Sequence, residues 1–248
     1  MKATKDNFSQ QAKSYSRYRP DYPQALYDFL YPHCPGFDHA LDCATGNGQV
    51  ARALSQKFRQ VTATDISQAQ LDNAAKATNI QYEVSRAETT HFPAAHFDLI
   101  TVGQAYHWFD FEAFGKEANR ILKPRGIIAI WSYHLPLFDK AVDEILEDFY
   151  RNVVGPYWDP ERDWVDKYYQ DVPFPFKELE TDFRFEIEKS FTLEEMEGYF
   201  NTWSAVRHYI KVNGENPVKE VIPRLSEVWD QPAYLAVFPG FIRLGEKL

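Results

Sequence analysis

Apolar residues in the first half of the chain follow two alternating rhythms. Short unbroken apolar runs of strand length are separated by stretches with helical spacing, which predicts parallel strands joined by crossover helices. Phe8, Ala12 and Tyr15 fall at i, i+4 and i+7, the spacing of a short amphipathic helix. Arg19-Pro20-Asp21-Tyr22-Pro23 breaks it before a second helix over Gln24–Leu30. His39–Cys43 predicts the first strand and Gln49–Phe58 the next helix. Val61–Thr64 predicts a second strand closed by Asp65, and Ser67-Gln68-Ala69-Gln70 has capping-box spacing before a helix carrying Leu71 and Ala75. Ile80–Val84 and Phe97–Val102 are the third and fourth strands, followed by a helix over Ala113–Leu122 and a turn at Lys123-Pro124-Arg125-Gly126. Ile127–Trp131 is apolar throughout, as a fifth strand buried on both faces would be.

After Tyr133 the pattern changes. Residues 134–178 are rich in aromatics, acids and prolines, including Tyr157-Trp158-Asp159-Pro160 and Pro173-Phe174-Pro175-Phe176, with helical spacing at Ala141, Ile145 and Phe149. Phe183–Ile187 alternates with period two and predicts a sixth strand. One helix is expected from Leu193 to Ile210, another from Pro217 to Trp229, and a last strand over Tyr234–Leu244 interrupted by Pro239-Gly240. The expectation is a single α/β domain over 1–248 built on a doubly wound, mostly parallel, seven-stranded sheet. Residues 1–33 form an N-terminal helical lid and 34–132 the ligand-binding core. A cap at 133–180 is inserted after strand five, and 181–248 supply the C-terminal strands and helices.

At 248 residues the chain can bury one substantial core. The formal net charge is −9 and the Lys and Arg residues are dispersed, which argues against a nucleic-acid groove. Cys34 and Cys43 are not in a metal-spaced pair, so neither a disulfide framework nor a metal site is expected. Met1–Lys13 lacks the apolar stretch of a secretory signal, and no segment has the apolar length of a membrane span. A reduced, cytoplasmic setting is expected. Aromatic residues make up 16% of the chain, enough to wall a small-ligand pocket or simply to fill the core.

Candidate chemistry concentrates in Asp42-Cys43-Ala44-Thr45-Gly46-Asn47-Gly48, at the junction of the first strand and its helix. Glycines there let the backbone turn sharply and approach a ligand. Asp42 would repel a diphosphate, so the junction suits a ligand carrying hydroxyls and positive charge, such as S-adenosylmethionine. Gly46-Asn47-Gly48-Gln49-Val50-Ala51 also fits the dinucleotide pattern G-x-G-x-x-G/A. Asp65 stands where doubly wound folds place an acid on ribose hydroxyls, or else it is a helix-flanking acid beside Ser67.

Together these segments resemble the class I S-adenosylmethionine-dependent methyltransferases. They are most similar to the small-molecule subgroup that includes trans-aconitate methyltransferase. The likeness rests on Leu41–Gly48, Ala87-Glu88, Phe92-Pro93, Phe97-Asp98-Leu99-Ile100, Gln104-Ala105-Tyr106-His107-Trp108-Phe109 and Leu122–Gly126, and covers roughly residues 8–132. It implies a Rossmann-like methyltransferase fold. Asp42, Ala44, Gly46 and Gly48 would cradle the amino acid and ribose end of the cofactor, and Asp65 the ribose hydroxyls, with Ile66 against adenine. Ala87 and Glu88 would line the adenine rim and Gln104 the methionine side. Tyr15 and Arg19 in the lid would reach the methionine carboxylate. Two positions depart from the family: Ala44 replaces a glycine, so its turn must keep φ negative or carry strain, and Arg86 stands where an acid often precedes Ala87.

Methyl transfer from a sulfonium needs alignment and water exclusion, and a base only if the acceptor atom is protonated. His107 is the candidate base; alternatively His107 and Trp108 form an aromatic wall over the cofactor. Tyr106 and Trp108 are expected on the acceptor side. The resemblance implies that Tyr199–Arg207 lines the acceptor pocket, with Trp203 and Arg207 on one helix face. Arg207 would hold an acceptor carboxylate or else pair with an acid of the protein. The expected activity is methylation of an oxygen on a small molecule. An NAD-dependent oxidoreductase and a non-catalytic S-adenosylmethionine or S-adenosylhomocysteine binder are the alternatives.

Overall fold

The structure, a computed structural model, describes residues 18–248. Tyr15 and the helix expected around Phe8 and Ala12 lie outside the described residues. Five parallel strands make the core: β1 (His39–Cys43), β2 (Gln60–Asp65), β3 (Ile80–Val84), β4 (Phe97–Gly103) and β5 (Leu122–Tyr133). Three more follow: β6 (Lys177–Leu179), β7 (Arg184–Phe191) and β8 (Tyr234–Glu246). The spatial order is β3-β2-β1-β4-β5-β8-β6, with β7 also on β8, and β8 runs antiparallel to its neighbours.

The sheet has eight strands because one edge position is broken in two. β6 pairs with Leu244–Glu246 and β7 with Tyr234–Phe241, one after the other along the same strand. The seven expected positions are therefore all filled. The extra piece, β6, falls within the segment expected as cap.

Helices α1 (Gln24–Leu30), α2 (Gln49–Leu54), α3 (Gln68–Asp72) and α4 (Phe111–Ile121) surround the parallel strands. Neighbouring residues of each strand feed opposite cores. Ile127, Ala129 and Trp131 belong to one cluster, Ile128 and Ile130 to the other. Burial on both faces is the reason that β5 is apolar at every position. Ser67 caps α3 by accepting from the Gln70 backbone N–H, but the expected capping box is only half made, because the Ser67 N–H goes to Asp65 rather than to the Gln70 side chain.

The expected turn at Lys123–Gly126 is a bulge inside β5 instead. Leu122 pairs with Phe97 and Ile127 with Leu99, so four residues stand opposite Asp98, and Arg125 takes φ +62°. Asp98 fastens that bulge. Its buried carboxylate accepts from Lys123 Nζ at 2.8 Å and from the backbone N–H groups of Asp38 and His39.

The second half comprises α5 (Lys140–Asp148), α6 (Arg162–Asp166), α7 (Leu193–Asn201), α8 (Ser204–Asn213) and α9 (Val218–Ser226). The single helix expected over Leu193–Ile210 is broken at Thr202-Trp203, where Trp203 is extended (ψ 135°). Its buried indole packs against Phe149, Tyr150, Trp158, Tyr199 and Phe200. Aromatic burial outweighs one turn of helix there. β8, by contrast, runs unbroken through Pro239-Gly240. Glycine at 240 gives the Phe185 ring room to lie on the strand, where any Cβ would collide with it.

Candidate active site

The carboxyl ends of β1 and β4 open onto a cleft. It is walled by Arg19, Tyr22, Asp42, the Ala44–Asn47 backbone turn, Gln104 and Tyr133. Ala44 (φ 54°), Gly46 (φ 55°) and Gly48 (φ 75°) are all left-handed. For Gly46 and Gly48 this costs nothing, whereas Ala44 carries the strain foreseen for a residue in a glycine position. A Cβ on Gly48 would strike the Tyr82 hydroxyl, so glycine there also serves packing.

Asp42 is buried at the cleft floor. Its two oxygens accept from Thr45 Oγ1 at 2.5 Å and Thr101 Oγ1 at 2.8 Å. Burial pushes its pKa up to about 6, against the pull of those two hydroxyls. Asp65, at the end of β2, accepts from the N–H of Gly46 and of Ser67, both at 2.9 Å. It therefore ties the glycine turn to the start of α3.

Asp65, Ile66, Ala87 and Glu88 lie along the ends of β2 and β3, outside the walls of that cleft. Ile66 is 39% exposed. Glu88 is 3.3 Å from Arg86 and accepts the Asp110 N–H at 3.1 Å. The departure at Arg86 is thus accompanied by a local ion pair.

A second space lies next to the first. Arg19, Gln104 and Tyr133 wall both. Its other walls are His107, Trp108, His134, Leu135, Tyr150, Trp158, Asp159, Arg162, Tyr199, Trp203 and Ser204. Gln104 is left-handed (φ 57°), an uncommon conformation for its type. Its side chain is fixed to the end of β5, with Oε1 accepting from Ser132 and the Tyr133 N–H and Nε2 donating to the Tyr133 carbonyl. Arg19 donates to Thr202 Oγ1 at 3.1 Å and lies over the Tyr199 ring.

His107 and Trp108 form one wall, their ring centroids 4.7 Å apart. His107 Nδ1 is 2.8 Å from the hydroxyl of the buried Tyr169, whose pKa is pushed up by burial, so the phenol keeps its proton at neutral pH.

Two expected acceptor residues are placed elsewhere. Tyr106 is fully buried beneath this wall, its hydroxyl donating to the Pro173 carbonyl. Trp203 lines the chamber, but Arg207, one turn along α8, is not among its walls. Among the described residues, the arginines that do face it, Arg162 and Arg19, come from α6 and the chain before α1. Sequence reasoning passed over Tyr133, His134, Tyr150 and Arg162. The available signal was the aromatic density of residues 134–178.

Residues 41–130 match the family model described as methyltransferase domain. Over 226 residues the chain is 35% identical to a Dictyostelium discoideum protein named as a methyltransferase, spanning 90% of this chain and 84% of that one. A solved structure assigned as a type II methyltransferase from Anaeromyxobacter dehalogenans shares 36% identity with a TM-score of 0.85, and covers 93% of this chain and 99% of that one. The chain belongs to the class I S-adenosylmethionine-dependent methyltransferases. Hydride transfer with a dinucleotide, the reading that Gly46–Ala51 left open, falls with that membership.

Some solved methyltransferases share the fold at low identity. An N-methyltransferase of Haemonchus contortus, solved with S-adenosylhomocysteine, is 16% identical with a TM-score of 0.51, over 97% of this chain and 57% of that one. Among the described residues of this methyltransferase, no cluster of His, Cys, Asp and Glu is arranged to hold a metal, and no helix is long and apolar enough to cross a membrane.

Proposed function

We propose that this methyltransferase holds S-adenosylmethionine in the Gly46 cleft and methylates an oxygen of a small molecule held in the aromatic chamber. One observation carries the reading: Arg19, Gln104 and Tyr133 form a common wall, so a group at the end of one space meets a group at the end of the other.

The cleft's donors fit the cofactor. Asp42 offers a buried carboxylate to an ammonium, Arg19 a guanidinium to a carboxylate, and the left-handed turn at Ala44, Gly46 and Gly48 lets the main chain come close. Asp65 faces the ribose diol, Ile66 the adenine, and Ala87 and Glu88 its rim. The S-adenosylhomocysteine bound by the Haemonchus protein supports the same cofactor here.

The bound cofactor supplies the electrophile: the acceptor oxygen's lone pair forms the new C–O bond as the C–S bond breaks, and sulfur keeps the electron pair. The chain's residues align the partners and exclude water, an effect worth roughly 7–11 kcal/mol in well-oriented systems. Gln104 is immobilised at the border and Trp108 closes one side. For a hydroxyl acceptor, His107, oriented by Tyr169, takes the proton. A carboxylate oxygen needs none removed.

The resemblance to the trans-aconitate subgroup and the dispersed charge, −9 overall, favour a small metabolite over a nucleic acid. In this reading residues 18–33 of the expected lid and the cap over 133–180 close one domain around both ligands, in the cytoplasm. The test is calorimetry with S-adenosylmethionine and S-adenosylhomocysteine, followed by transfer of labelled methyl into a metabolite extract. Folded protein that gives no heat with either compound overturns the reading.

A further inference from the structure

Away from the border shared with the cofactor cleft, the polar wall of the aromatic chamber is built by the cap. Arg162, on α6, lies over the rings of Trp158 and Tyr150, at 5.4 and 5.7 Å from their centroids. Its Nε donates to the Tyr150 hydroxyl at 2.9 Å and is 3.3 Å from Asp166. Tyr150 in turn donates to the Asp166 carboxylate at 3.0 Å. This edge of the guanidinium is committed to the cap. Its two Nη groups, the fork that pairs with carboxylates, have no protein partner among the described residues, in a side chain only 18% exposed.

His134 shares that end of the chamber. Its ring rests on Tyr168 and Phe241, and its buried Nε2 has no hydrogen-bond partner among the described residues. Burial first, and then the charge of Arg162, lower its pKa, so the imidazole is neutral and can donate without adding charge. Among the described residues Asp159 is the chamber's one acidic wall residue, 3.9 Å from His208 Nδ1. Unmet donors on a cation in an enclosed aromatic space are the chemistry of anion recognition.

We propose that Arg162 and His134 form a carboxylate-holding subsite for a flat, apolar-bodied acceptor, and that the carboxylate held there is not the group that is methylated. The inference rests on reading the chamber as the acceptor site. Neither residue walls the cofactor cleft, so an anion on their fork stands back from the shared border. The acceptor must then present a second nucleophilic oxygen near Arg19, Gln104 and Tyr133. The flanking rings of Trp108, Trp158 and Trp203 suit a planar body between the two ends.

The test is calorimetry on the full chain loaded with S-adenosylhomocysteine, using 4-hydroxycinnamate and 4-hydroxybenzoate against the amide of each. The acids bind at least 10-fold more tightly than their amides. Arg162→Gln weakens the acids by roughly 10- to 100-fold, down to the amide level, the range for one charged hydrogen-bonding partner. Arg162→Lys keeps part of the preference, and His134→Phe reduces it less than Arg162→Gln does. S-adenosylhomocysteine affinity stays at the wild-type value throughout, which certifies folding. Amides that bind as well as acids overturn the subsite, as do acids that fail to bind, or an acid preference that survives Arg162→Gln. In a parallel assay with methyl-labelled S-adenosylmethionine, acids that bind but acquire no labelled methyl, on any oxygen, count against the proposed acceptor chemistry and leave the subsite standing. Absent cofactor heat overturns the cofactor reading instead.

Discussion

The carboxylate of Asp65 accepts the backbone N–H of Gly46 at 2.9 Å, joining the end of one strand to the glycine turn after its neighbour. Its other oxygen takes the Ser67 N–H, so one side chain sets both the cofactor-side turn and the entry to α3. Asn at this position leaves one carbonyl oxygen for two N–H groups and turns an amide NH2 toward the other. Asp65→Asn is expected to lower stability by about 1–3 kcal/mol and S-adenosylhomocysteine affinity along with it. Urea denaturation and calorimetry read the two effects, and an unchanged affinity removes Asp65 from the site.

Asp42 makes stability depend on pH. Its pKa is higher in the folded protein, about 6, than in an unfolded chain, so the native state keeps a proton that the unfolded state has released. Stability therefore falls as pH rises from about 4 to 6 and levels off above. A displacement of that size is worth roughly 3 kcal/mol. Cofactor affinity runs the opposite way, weakening below about pH 6 as the carboxylate gains a proton. Asp42→Asn is expected to flatten both profiles, preserve or raise the melting temperature at pH 7.5 and weaken cofactor binding at least 10-fold. Urea melts and calorimetry between pH 4 and 8 check this, and steep profiles persisting in the variant refute it.

Ala44 holds φ 54° where glycine would be unstrained. The left-handed cost to alanine exceeds the extra chain entropy of glycine, so Ala44→Gly is expected to stabilise the protein by about 0.5–1 kcal/mol. Thermal unfolding reads this as a rise of a few degrees. A fall shows that the surrounding turn absorbs the strain.

His107 and Tyr169 separate a base from a wall. With a hydroxyl acceptor, His107→Gln is expected to cut kcat by about 100-fold or more and to leave cofactor binding intact. With a carboxylate acceptor the loss is small. Tyr169→Phe, which deletes only the hydroxyl 2.8 Å from Nδ1, should shift the pH–rate profile and affect kcat more than KM. Equal small losses with both acceptor types leave His107 as a wall.

Asp98 and Lys123 lie at the amino end of β4, away from the cleft. Lys123→Met leaves the buried Asp98 carboxylate with its two backbone donors but no cation. The expected loss is about 2–3 kcal/mol, below the full cost for a buried pair because Lys123 is 27% exposed. Calorimetric S-adenosylhomocysteine affinity should not move.

The parallel half was legible in the chain for a local reason. A strand buried on both faces must be apolar at every position, as Ile127–Trp131 is, and an acid-glycine junction is written in seven consecutive residues. The second half misled wherever a neighbour decided the outcome. Lys177-Glu178-Leu179 has no strand pattern, and pairs only because Leu244–Glu246 offers an open edge. Trp203 breaks a helix whose spacing predicted continuity, because its indole has an aromatic cluster to enter.

Periodicity and motif residues alone determined the α/β class, the extents of β1 and β3, the Asp42–Gly48 turn and the family. Tertiary structure decided which cations face the aromatic chamber. Helical spacing puts Trp203 and Arg207 on one face but carries no information about which cavity that face borders. Arg162 and Tyr133, 29 positions apart along the chain, wall one space only because the cap folds back over the end of β5. Side-chain periodicity is local, whereas a pocket is made by segments distant in sequence, and their meeting depends on the packing of the whole chain.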